Sequence, residues 1–208
     1  MTNSLRIRTI RSLVVLAAVV VLGVGCSDAS DYIGGPGERE EHDNMSAEEQ
    51  FEELAQRPDI EQAVRRYEEV LSEISTELRG LTDLPEWERL EGMGSQPGCN
   101  AFPDVGNWDA ERRFMDTWHS PGHFAEEEWP VVRDALHRIA GEYGFDTVVQ
   151  DIFQAGRRSY KLVDDYGAQL SLSYRDNTNL SVMTGCHLLA EAVEHGGPRP
   201  RPTERTPR

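Results

Sequence analysis

Residues 148–183 read VVQDIFQAGRRSYKLVDDYGAQLSLSYRDNTNLSVM. Four short runs, 148–153, 158–163, 169–174 and 179–183, are separated by QAGR, DDYG and RDNT. Apolar and polar residues alternate, most cleanly where Leu170, Leu172 and Tyr174 enclose serines. A period of two belongs to a strand with one buried and one wet face, and separators rich in Gly, Asp and Asn supply tight turns. The stretch therefore predicts an antiparallel meander.

Outward from it, toward the N-terminus, the period changes to that of a helix. Ile60, Val64, Tyr67, Leu71, Ile74, Leu78 and Leu81 recur at steps of four and three, which places all seven on one stripe. A shorter helix precedes it, opened by Ser46 with Glu49 three residues on, the spacing of a capping box, and ended near Pro58. Another follows the acidic turn Glu126, Glu127 and Glu128, with Pro130 in its first turn, a stripe of Trp129, Val132, Leu136, Ile139 and Tyr143, and Gly144 as a left-handed stop. Residues 84–102, dense in Gly and Pro, read as loop, and ERRFMDTW at 111–118 reads as an edge strand. Helices first and a meander last make an α+β fold: N-terminal helices packed on a C-terminal antiparallel β-meander, one domain over residues 46–195. The 60–81 stripe serves either as core against that sheet or as a surface through which a structural protein pairs with a partner. Core is the reading we adopt, because a domain of this size must bury something on its sheet.

Before the domain, SDASDYIGGPGEREEHDN from Ser27 has almost nothing to bury and reads as a disordered acidic, Gly-rich tether over 26–45. After it, GGPRPRPTERTPR, residues 196–208, reads as a disordered Pro/Arg tail, with a basic contact to an anionic polymer or a partner as the alternative.

The first residues are of another kind. Arg6, Arg8 and Arg11 precede the uncharged run LVVLAAVVVLGV. That run is shorter than the ~20 apolar residues a transmembrane helix needs and fits the apolar region of a signal peptide, residues 1–25. It ends in Leu22, Gly23, Val24, Gly25 and Cys26, which resembles the lipobox of bacterial lipoprotein signal peptides, with the departure that Gly23 stands where an aliphatic residue is usual. The resemblance implies lipidation of Cys26 after export. An ordinary cleaved signal, with Cys26 in a disulfide, is the other reading. Three cysteines leave Cys99 and Cys186 as an even pair once Cys26 is acylated, and an exported domain usually joins such a pair; buried thiols are the alternative. Residues 1–25 hold three of the chain's 21 basic residues and none of its 37 acidic ones, so the remainder carries a formal charge of −19. Such a surface repels nucleic acid and anionic head groups alike, so the membrane would be held by N-terminal acyl chains.

With the acylatable Cys26, an acidic helical half, the cysteine of GCNAF and the cysteine of TGCHLL closing a strand-rich half, the chain resembles the LppA and LppV group of mycobacterial and related actinobacterial lipoproteins. The resemblance implies a membrane-anchored cell-envelope protein and no particular activity.

Chemical motifs are sparse. In WHSPGHFAEEE, His119 and His123 with Glu126 or Glu127 suggest a metal-assisted hydrolase, but Ser120, Pro121 and Gly122 between them make a turn, not a helical ligand pair. Ser95 lacks the strand and helix of a nucleophile elbow, and no phosphate loop is present. Asp164 with Asp165, and Asp176 with Asn177 and Asn179, offer calcium oxygens or, more simply, turn caps. Trp87, Trp108, Trp118 and Trp129 cluster in the middle third and form either core or a groove. These observations lead to the expectation of a non-enzymatic lipoprotein without cofactor or metal, lipid-anchored on the extracytoplasmic face of the cell membrane. Its domain would bind an envelope protein or a small molecule.

Overall fold

The computed structural model describes His42, residues 44–92 and residues 94–200. Local signals hold where they were strongest. The Ser46 capping box closes: the Glu49 amide donates to Ser46 Oγ at 3.2 Å and the Ser46 amide to Glu49 Oε2 at 2.8 Å, opening α1 (Ala47–Ala55). Asp59 caps α2 (Ile60–Leu81) through the Gln62 amide. Glu126–Glu128 form a 3-10 turn leading into α3 (Trp129–Glu142), and Gly144, at φ +88°, takes the left-handed conformation just past its end.

The strands are β1 (Glu88–Leu90), β2 (Gly94–Pro97), β3 (Ala110–Phe114), β4 (Thr117–Pro121), β5 (Thr147–Gln154), β6 (Arg157–Val163), β7 (Gln169–Tyr174), β8 (Asn177–Met183) and β9 (His187–Leu188), followed by α4 (Ala190–His195). All are in one antiparallel sheet, ordered β1-β4-β8-β7-β6-β5, with β2 on β3 and β3 on β8 and β9. The predicted meander is β5 to β8. The pairing of β3 and β4 against β8 and β9 amounts to one long bent ribbon, since across its breaks the Met115 amide still donates to Val182 O and the Thr184 amide to Arg113 O.

Two expectations are corrected. Residues 84–102 contain β1 and β2; both lie on the sheet's outer edge with every residue partly or fully exposed, so no apolar alternation marks them. The segment read as an edge strand is β3 and β4, and it sits inside the sheet, flanked by β1 and β2 on one side and β8 and β9 on the other. The far edge is β5, where Val148, Val149 and Phe153 are exposed.

One face of the sheet carries the main core. Tyr160, Leu162, Leu170, Leu172, Tyr174, Leu180 and Val182 meet Tyr67, Leu71, Ile74 and Leu78 of α2 and Trp129, Val132, Leu136 and Ile139 of α3. The 60–81 stripe is thus consumed inside its own domain at Ile60, Tyr67, Leu71, Ile74 and Leu78, with Val64 partly buried and Leu81 exposed, which corrects the alternative of pairing through it. A second, smaller core gathers Phe51, Leu54, Phe102, Val105, Leu188 and Ala192 around the disulfide Cys99–Cys186, whose Cα atoms are 5.8 Å apart. Contacts extend past both ends of residues 46–195: buried His42 meets Glu53 at 2.9 Å, and Arg199 bonds to Asp109.

Candidate functional site

Cys26 lies outside the described residues. The histidine pair does not converge on a common centre: His119 Nδ1 bonds Asn179 Oδ1 at 2.9 Å on β8, whereas His123 bonds the Phe124 carbonyl at 3.0 Å and stacks on Tyr174. Among the described residues no group of three or more His, Cys, Asp or Glu is placed to hold a metal. Ser95 sits on exposed β2 and donates to Glu111. Asp164 Oδ1 accepts the amides of Tyr166 and Ala168 at 2.9 and 2.8 Å, the bonding of a turn cap. Its other oxygen takes the Tyr67 hydroxyl at 2.5 Å. Burial raises the Asp164 pKa, and burial followed by the Asp164 charge raises that of Tyr67, so this pair holds the β6–β7 turn to α2 as a structural contact. Asn177 caps the Gly122 amide.

Three of the four tryptophans gather on the main core, and Trp108 stands apart from them. Trp129 is core, stacked on Phe124 at 5.9 Å. Trp87 and Trp118 pack half-buried against the same core with buried indole N–H groups that lack an acceptor among the described residues. Trp108 donates to the carbonyl of Arg199 at 3.0 Å.

The off-phase positions of the meander point to the sheet face opposite the helices. Gln150, Lys161, Ser171 and Ser181 form one cross-strand row, and Ser159, Ser173, Asn179 and His119 another. Among the described residues no helix packs on this face, and a cavity of about 430 Å³ opens on it, lined among others by Phe114, Met115, Lys161, Gln169, Ser171 and Met183. Burial lowers the Lys161 pKa. The cavity therefore combines apolar walls with serine hydroxyls, a lining that suits a small amphipathic ligand. Sequence reading treated these serines only as the wet phase of a strand; their concentration on adjacent strands was the available signal. A second depression, about 630 Å³, runs along α2 between Glu68, Glu69, Glu73, Glu77, Arg89 and Trp118. Arg89 there forms ion pairs with Glu68 and Asp116 at 2.8 and 3.2 Å.

No helix among the described residues is long and apolar enough to cross a membrane. No curated protein sequence matches the chain. Among solved structures, a crystal structure described as a lipoprotein, LppA from Mycobacterium tuberculosis, superposes with a TM-score of 0.57 at 15% identity, over 73% of this chain and 91% of that one. A DUF4853 family protein from Actinomyces odontolyticus gives a TM-score of 0.41 at 18% identity, over 71% of this chain and 73% of that one. At such identity the LppA likeness speaks to the fold. The sequence comparison goes further, because the model of the LppA family, described as a lipoprotein confined to pathogenic Mycobacterium, matches residues 36–190. By that match over most of its length, with the fold in agreement, this chain belongs to the LppA lipoprotein family.

Proposed function

We propose that the protein is a cell-envelope lipoprotein, cleaved before Cys26, acylated there, and held by its acyl chains at the outer face of the plasma membrane, where its α+β domain acts as a binding or accessory module. The observation that carries this reading is the cysteine at the end of a signal-like apolar run in a member of a lipoprotein family. Electrostatics supports the need for acyl chains: with 37 acidic residues against the 18 basic ones left after cleavage (21 less Arg6, Arg8 and Arg11) the body is repelled by anionic lipid, and one chain alone binds only marginally, so two or three chains are needed for a lasting anchor. The sheet face opposite α2 and α3, with its cavity of about 430 Å³, supports the binding half of the reading.

Metabolic labelling with a clickable fatty acid tests the anchor. Wild-type protein should be labelled and recovered with membranes, whereas Cys26→Ala should accumulate as unlabelled precursor. Equal labelling of both would remove Cys26 from the reading.

A further inference from the structure

We infer that the pocket around Asp109 is a binding site for an arginine carried in an extended, proline-flanked segment, and that the chain occupies it in cis with its own Arg199. This stands apart from the lipid-anchor reading and rests on different residues.

Asp109 has no solvent exposure at all. A carboxylate so buried requires a matched counter-charge and hydrogen bonds, since uncompensated charge inside a protein is strongly unfavourable. Both oxygens of Asp109 are met by one residue: Arg199 Nε donates to Oδ1, and the Arg199 main-chain amide donates to Oδ2 at 2.9 Å. The remaining groups of Arg199 are read as well. Its Nη2 donates to the Trp108 carbonyl, its Nη1 lies 3.3 Å from Glu191 Oε2, and its own carbonyl accepts the Trp108 indole N–H at 3.0 Å. A residue recognised through its guanidinium, its amide and its carbonyl together is specified in type and in chain direction, which a surface ion pair does not achieve.

The walls of the pocket are held by contacts that do not involve the tail. The Asp109 amide donates to Gly106 O at 2.8 Å, and its carbonyl accepts from Leu189 at 2.8 Å, which ties the 98–109 loop to the start of α4. The Cys99–Cys186 bridge fixes the same loop to the sheet. Gly106 makes room for the indole, because a Cβ there would lie 2.4 Å from the Trp108 ring. A cavity of about 520 Å³, lined by Pro97, Asn100, Asn107, Trp108, Pro198 and Arg199, continues beside the clasp. The ligand segment suits it. Pro198 and Pro200 have no amide proton, so the Arg199 N–H is the one main-chain donor that residues 198–200 present, and both rings favour extended backbone. The Pro/Arg tail, which looks like frayed sequence when read alone, thus contains the ligand of a formed site.

The test uses the full chain in detergent. With Arg199→Ala the site is vacated, and a synthetic blocked peptide, Gly-Pro-Arg-Pro, is added in trans and followed by calorimetry and by the Trp108 indole N–H resonance, assigned through Trp108→Phe. The variant should bind the peptide at least about tenfold more tightly than wild type, whose site is filled, and a peptide with Lys for Arg should bind at least about tenfold more weakly. Binding should move the Trp108 resonance. Equal binding by variant and wild type, no binding by the variant, or binding that leaves Trp108 unmoved would each overturn the proposal. Should Arg199→Ala fail to fold, Arg199→Lys replaces it: this weakened cis ligand must yield to the arginine peptide more readily than wild type does, and an equal response refutes the site. A wild-type dimer that dissociates on Arg199→Lys would put the arginine in trans and refute occupation in cis.

Discussion

His187 shows how one residue links burial to pH. It is fully buried on β9, its Nδ1 bonds the Pro58 carbonyl at 2.8 Å, and its Nε2 has no acceptor among the described residues. Burial lowers its pKa from 6.5 to about 4, with the Pro58 bond opposing and the Arg57 charge assisting. Between those values the unfolded chain takes up a proton that the folded chain refuses. The contribution is therefore intact above about pH 6.5 and is lost as pH falls toward 4, by at most about 3 kcal/mol. Asp164, whose pKa is raised by burial, shifts stability in the opposite sense as acid is added, so the informative quantity is a difference between proteins. Urea denaturation across that range should show the wild type losing more stability than His187→Asn; parallel curves would exclude His187 as the source.

At the level of elements, α2 separates pattern from packing. By spacing, Leu71 and Leu81 belong to the same stripe. In the fold Leu71 is fully buried against sheet and α3, while Leu81, in the last turn, is 39% exposed. Leu71→Ala should therefore lower the unfolding free energy by about 2 to 5 kcal/mol, and Leu81→Ala by less than about 0.5 kcal/mol, measured by chemical denaturation. Similar losses at the two sites would mean that the helix extends its packing beyond Leu78. The strands teach a related lesson. Period two was visible in β7 and β8, where one face is buried, and invisible in β1 and β2, where neither is.

For the whole molecule, the Cys99–Cys186 bridge joins the small core to the sheet across a separation of 87 residues. Closing so long a loop restricts the unfolded chain by about 4 to 5 kcal/mol in the chain-entropy account, before any native strain is subtracted. The double variant Cys99→Ser, Cys186→Ser should unfold at distinctly lower urea, and reductant should destabilise the wild type alone. An unchanged midpoint in the double variant would show that the bridge contributes nothing at equilibrium. Because the bridge also positions the 98–109 loop, its loss should loosen the Asp109 clasp.

The sequence by itself determined the α+β class, the helix caps at Ser46 and the 60–81 helix, the β5–β8 meander, and the family resemblance, because each rests on neighbours in the chain: spacing, turn chemistry and short motifs. Only the tertiary structure decided that residues 111–118 lie inside the sheet, that the serine rows of adjacent strands share the face opposite α2 and α3, and that Asp109 meets Arg199 across 90 positions. Local pattern reports which side of an element is apolar. Which elements become neighbours is set by long-range pairing and burial, and a buried carboxylate looks no different in sequence from a solvated one until its partner is brought to it.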